Sequence, residues 1–133
     1  MLSKTAEYAL RGAVRLARER DTNLTTEQLA QDTGVPAGYL SKVLQALGKN
    51  GLVVSRKGLG GGFRLARDPE AISVLEVVNA VDPIQHVRTC PLGLSHHGAT
   101  LCPLHRRLDA ITSQVEEAFE ATPLSDLVIE PPA

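Results

Sequence analysis

The chain has 133 residues, 43% of them hydrophobic and 22% charged, which is the make-up of one globular domain with room for an added association element. No apolar run reaches the ~18 residues that span a bilayer, and Lys4, Glu7 and Arg11 interrupt the N-terminus where a secretory core would lie, so a cytoplasmic protein with no membrane partner is expected. The net charge of −1 conceals a division: residues 1–67 carry eleven Lys or Arg against five acids (+6), suited to meeting a polyanion, whereas residues 68–133 carry three Arg against ten acids (−7).

From Ser3 to about Arg20, Ala6, Ala9, Leu10, Ala13, Val14 and Ala17 recur at helical spacing and predict a first helix with one apolar stripe. Arg11, Arg15 and Arg18 fall on its other face, where they can meet phosphate or water. Asp21-Thr22-Asn23 breaks the pattern, and Thr25 with Gln28 forms a capping box that opens a short second helix from Thr26 to about Asp32. Gly34 ends it, and Pro36 stands where the first turn of a third helix tolerates a missing N–H. That helix runs to about Lys49 with Leu40, Val43, Leu44 and Leu47 inward. Asn50-Gly51 stops it, and two short strands follow, Leu52–Ser55 and Gly62–Ala66, joined through the glycine-rich Arg56–Gly62 turn of a hairpin.

After Asp68-Pro69, the apolar residues Val74, Leu75, Val77 and Val78 predict a fourth helix over Ser73–Ala80, closed by Asp82-Pro83. Residues 88–100 show no period. From Leu101 the positions Leu101, Leu104, Leu108, Ile111, Val115 and Ala118 alternate spacings of three and four, a heptad seam with Phe119 beside it. A seam this short suits a helix packed along a symmetry mate; an intrachain helix hairpin is the alternative. Thr122-Pro123 ends the helix, and the remaining tail is expected to be short and only partly ordered.

The order helix, short helix, glycine turn, helix, two-stranded hairpin is that of a winged helix-turn-helix, a mainly α fold with a small two-stranded β wing. It places a DNA-binding domain at 1–67 and leaves 68–133 for a dimerisation region, which the family resemblance given below extends to a sensor loop. The second helix of such a motif enters the major groove by its N-terminal residues, here Ala37, Gly38, Tyr39, Ser41 and Lys42, with Gln45 one turn on. Small residues at 37 and 38 permit close approach, Tyr39 can bond a phosphate, and Ser41, Lys42 and Gln45 offer polar reach. Arg56 and Lys57 at the hairpin tip suit the adjacent minor groove or its phosphates. A nucleotide-cradling loop is disfavoured, because no helix opening with Lys-Ser or Lys-Thr follows the glycines. An enzyme is not expected either: no carboxylate is spaced beside the histidines as a general base, and no nucleophile motif is present. A protein-interaction adaptor without DNA affinity sits poorly with the +6 half.

Three segments carry a family likeness: Leu2-Ser3-Lys4 with Glu7-Tyr8-Ala9-Leu10; Leu40–Leu47 with Lys49-Asn50-Gly51-Leu52-Val53; and above all Arg56-Lys57-Gly58-Leu59-Gly60-Gly61-Gly62-Phe63. The chain resembles the Rrf-type (IscR/NsrR/CymR-like) winged helix-turn-helix transcriptional regulators from its first residues to about Leu127. The resemblance implies a homodimer with a long crossing C-terminal helix, binding double-stranded DNA at a pseudo-palindromic promoter site, often as a repressor.

Relatives that sense iron–sulfur status or nitric oxide carry three cysteines at six-residue steps before the dimerisation helix. Here the frame reads Cys90, His96 and Cys102, with His105 three residues on, so a histidine replaces the middle cysteine. His97 is an alternative to His96, and the resemblance places an acidic ligand of the partner subunit at Glu7. Imidazole can replace thiolate on such a centre, so the resemblance implies an iron–sulfur cluster, 2Fe-2S ahead of 4Fe-4S. The same donors suit Zn²⁺. A third reading has no metal, with Cys90 and Cys102 as structural or redox-active thiols. His86 lies outside this frame and is given no role.

Overall fold

The computed structural model describes residues 1–86, 92 and 102–129. Helix α1 (Lys4–Arg18) starts at Ser3, whose hydroxyl accepts the Ala6 N–H at 3.1 Å, and ends two residues short of the expected Arg20. Its stripe of Ala6, Ala9, Gly12, Ala13, Leu16 and Ala17 is buried. Small residues on a central helix let neighbours approach closely, and α1 packs against the next two helices of the chain and against the second strand of the hairpin.

Helix α2 (Thr26–Thr33) begins with the expected capping box: the Thr25 hydroxyl accepts the Gln28 N–H, and the Gln28 side chain accepts the Thr25 N–H. Helix α3 (Ala37–Lys49) follows after a three-residue turn. Pro36 is its N-cap and not its first helical residue, so the missing N–H lies just outside the helix. Leu40, Val43, Leu44 and Leu47 turn inward as expected. Each leucine fully buried in this way contributes roughly 1.5–3 kcal/mol relative to exposure.

Strands β1 (Val53–Arg56) and β2 (Gly62–Leu65) pair antiparallel, with Val53 opposite Leu65 and Arg56 opposite Gly62. The hairpin is seated by a bridge between Leu24 and Phe63, with N–H···O distances of 2.9 and 2.8 Å. Gly62 makes this possible, since a Cβ there would stand 2.5 Å from the Leu24 carbonyl oxygen.

A short 3-10 turn (Pro69–Ala71) leads to α4 (Val74–Val81), where Ser73 and Glu76 form a second capping box. Helix α5 (Pro103–Glu120) has Cys102 as its N-cap; Leu101, the expected start of the seam, lies outside the described residues. The described part of the tail packs on the core. A 3-10 turn (Leu124–Leu127) drives the fully buried Leu124 into the main core, with Leu127 and Val128 packed beside it. Backbone bonds from Leu124 N–H to Ile72 and from Val74 N–H to Thr122 fasten it, and Arg18 donates to the Ile129 carbonyl. Leu124, Leu127 and Val128 thus pack on the core beside α1, and residues 130–133 of the tail lie outside the described residues.

Candidate functional site

The expected groove-facing residues form one outer surface. Ala37, Gly38, Tyr39, Ser41, Lys42 and Gln45 are all exposed, while the residues between them enter the core. This alternation follows from the helical period: Leu40, Val43, Leu44 and Leu47 hold α3 down and leave its other face outward. Gly38 has open space where a Cβ would stand, so internal packing does not require its smallness. Tyr39 is 58% exposed and its ring lies 5.6 Å from that of Tyr8 on α1. Arg11 and Lys4 stand 5.9 and 6.0 Å from the centre of the Tyr8 ring. The α1 start thus joins the α3 surface, a contact that residues 31 positions apart gave no local sign of.

Charge pairing separates the basic residues into two groups. Arg15 bonds Asp32 at 2.9 Å and Glu19 at 3.1 Å, Arg20 bonds Asp68, and Arg67 bonds Glu76. These hold the domain together, so Arg15 and Arg18, the latter on the Ile129 carbonyl, have internal partners. Lys42, Arg56 and Lys57 have no carboxylate partner among the described residues and are exposed. Their charge faces solvent on the recognition helix and the wing.

Of the Cys/His frame, Cys90, His96 and the alternative His97 lie outside the described residues. Cys102 and His105 share the first turn of α5, both buried, and the Cys102 sulfur accepts the His105 backbone N–H at 3.3 Å. Glu7 is on the first turn of α1, 3.5 Å from Lys4. Among the described residues no three Cys, His, Asp or Glu side chains are gathered in a way that would hold a metal ion. Glu7 and the Cys102–His105 pair are not brought together within one subunit, and the expected ligand is Glu7 of the partner subunit.

Sequence reasoning passed over His86. Its Nδ1 lies 2.6 Å from Asp109 and its Nε2 2.5 Å from Glu116, both carboxylates on α5. The hydrogen bond to Asp109, then that to Glu116, raises its pKa above the usual 6.5. Asp109 and Glu116 are seven residues apart, two turns on one helix face, which is the only local hint of a shared partner.

The seam of α5 remains largely uncovered. Ile111 is 51% and Leu104 41% exposed, and Leu108, Val115 and Phe119 are partly exposed. Beside it, Leu2, Ala6, Val78 and Ile84 join Ile111, Val115 and Phe119 in lining an open apolar recess. Among the described residues no helix lies along the whole seam, and Ile111 stays half exposed.

The sequence matches the Rrf2 family, described as iron-dependent transcriptional regulators, over residues 2–130. A protein of Aquifex aeolicus named as a helix-turn-helix-type transcriptional regulator is 30% identical over 131 residues, 96% of this chain and 91% of that one. IscR of Aliivibrio salmonicida, also so named, is 26% identical over 97% of this chain and 77% of its own length. The solved structure of CymR, the global cysteine regulator of B. subtilis, superimposes with a TM-score of 0.78 at 26% identity, covering 96% of this chain and 95% of CymR. These relatives are transcriptional regulators and not enzymes, as expected from the residues. With the winged helix-turn-helix built as above and the family matched along nearly its whole length, the chain belongs to the Rrf2 family of transcriptional regulators.

Proposed function

We propose that the protein binds promoter DNA as a symmetric homodimer, as a repressor, with residues 1–67 contacting DNA and residues 68–133 sensing and dimerising. Each α3 enters a major groove through Ala37, Gly38, Tyr39, Ser41, Lys42 and Gln45, and each wing brings Arg56 and Lys57 to the neighbouring minor groove. The observation that carries this reading is the exposed charge of Lys42 on α3 and of Arg56 and Lys57 on the wing, none with a carboxylate partner among the described residues, in a half where Arg15, Arg18, Arg20 and Arg67 are engaged. The exposed α5 seam supports a second copy as its cover. Titration of the DNA upstream of its own gene at rising salt tests the reading: affinity falls linearly on a log–log scale as phosphate contacts release counterions. Affinity indifferent to salt overturns it.

We infer further that Cys90, His96, Cys102 and His105, with Glu7 of the partner subunit, hold an iron–sulfur cluster of the 2Fe-2S type. The fit rests on the donor chemistry of the described pair: a thiol and an imidazole one helical turn apart, with Cys102 fixed as the N-cap of α5. When bound, such a group supplies sensitivity to redox state and nitric oxide. What the chain supplies is a rigid lever. Cys102 caps the helix that bears the seam, so any movement of Cys102 is transmitted to the subunit interface and to half-site spacing. His96 in place of a third cysteine favours a second reading, Zn²⁺ on the same donors, with a metal-free thiol switch as the third. The visible spectrum and the iron, sulfide and zinc content of anaerobically purified protein separate the three. A colourless protein without iron or sulfide after reconstitution, with operator binding unchanged by Cys90→Ala or Cys102→Ala, overturns the cluster.

A further inference from the structure

The wing ends in an apolar residue. Leu59 is fully exposed, at the outermost corner of the hairpin, between the cations Arg56 and Lys57 on one side and glycines on the other. A single exposed leucine on a protein surface is ordinary. This one is held in place. The Gly61 N–H bonds the Gly58 carbonyl at 3.0 Å, closing a four-residue turn in which Leu59 takes the first corner and Gly60, at φ 72°, the second. Gly58 has φ 89°, and a Cβ on Gly61 would stand 2.2 Å from the Arg56 carbonyl oxygen, so the tip can be made in this form only with glycine on either side of the leucine. The Asn23 amide donates to the Gly60 carbonyl at 3.1 Å and ties the tip to the domain, beside the Leu24–Phe63 bridge. The leucine is thus presented on a preorganised loop with no side chain flanking it from residues 58, 60 or 61.

We propose that Leu59 is a reader of the DNA minor groove: it enters the groove beneath the wing and disfavours G·C pairs there, while Arg56 and Lys57 hold the flanking phosphates. The inference rests on the DNA-binding reading and names a specificity residue within it. The minor groove shows acceptors alone at A·T and T·A pairs, and a G·C pair adds the guanine N2 amine, a donor that projects into the groove. An alkyl side chain seated there takes water from that amine and offers no acceptor in return, so the G·C pair is penalised. At A·T pairs the floor carries no such amine, and the narrow groove strengthens the attraction of the adjacent cations. Apolar wedges from hairpins and helices are a general means of minor-groove recognition. A polar residue at the tip would lack this discrimination.

The test uses the full-length protein and a site selected by it from random DNA, with the base pairs under the wing located by hydroxyl-radical protection. Those pairs are then changed to G·C or to inosine·C, which keeps the major-groove pattern of G·C and lacks the N2 amine. For the wild type, A·T and inosine·C sites bind alike and the G·C site binds about fivefold or more weakly, the low end of what one wrong pair costs. In Leu59→Ala and Leu59→Ser the G·C penalty shrinks below about twofold, with unchanged thermal unfolding because the side chain contacts nothing in the fold. Inosine·C behaving as G·C does, or a full G·C penalty retained in both variants, overturns the inference while leaving DNA binding intact. A wild type that binds no DNA overturns the DNA-binding reading and this inference together.

Discussion

The N-terminal half of the chain and helix α5 dispose of their apolar faces in opposite ways. In residues 1–67 the apolar faces are used up internally: α1 buries six residues and α3 four, and their exposed faces are polar or basic. In α5, eighteen residues long, the one residue buried is His105, and the apolar seam stays open. Only part of its stripe is covered, Phe119 packing against Ala6 and Val78, and a long amphipathic helix with the rest of its stripe open gains further stability from a partner surface. Under the proposed function, the contrast separates a DNA-reading part packed within one subunit from a helix whose open face is left for a second copy. The charge division runs the same way, and under the proposed function it sets a basic half toward DNA and an acidic half away from it.

The sharpest way to break this contrast is at the seam. Ile111→Asp places a charge in the proposed interface; sedimentation should show a monomer, and operator affinity should fall about 10²-fold or more as two linked contacts become one. A monomeric wild type at micromolar concentration would dissolve the distinction. Next in size is Leu124→Ala. Although it lies near the C-terminus, its side chain belongs to the core of the N-terminal half, so thermal or denaturant unfolding should show a loss of about 2–5 kcal/mol. Ile111→Ala in a dilute, monomeric preparation should cost far less.

Lys57→Ala should weaken binding by a similar factor on every DNA sequence and reduce the log–log salt slope by about one, with an unaltered melting temperature. A lower melting temperature would move Lys57 from the interface to the scaffold. The smallest effect concerns His86, which ties the segment after α4 to α5 through Asp109 and Glu116. Because its pKa is raised in the folded protein, the stabilisation is fully present below about pH 6.5 and is lost as pH rises through the folded value. The pH dependence of unfolding in this window should flatten in His86→Gln. An identical profile in wild type and variant would show the clasp to be without weight.

Much of this molecule was legible one residue at a time. The three- and four-residue spacing of alanines and leucines gave α1 and α3, and the Thr25–Gln28 box gave the start of α2. The same four-residue signal at Ser73–Glu76 went unused, though it opens α4 one residue from the expected start. Caps and periods are local physics, carried by residues within one or two turns of each other, so the sequence alone determines them. The inward and outward faces of α3 follow from the same period, and with them the candidate groove-facing residues.

What the tertiary structure decided are contacts between residues far apart in the chain. Tyr8 meets Tyr39, His86 sits between Asp109 and Glu116, and Leu124 enters the core beside Ile72, none of which any short window of sequence announces. The sorting of arginines is of this kind as well: Arg15 is engaged by Asp32 and Arg56 is left to solvent, though both look alike as charged residues in a basic half. Composition determines how much charge and apolar surface the chain carries. Which of it is spent inside the subunit, and which remains to meet DNA or a second copy, depends on the packing that brings distant segments within a few ångströms of each other.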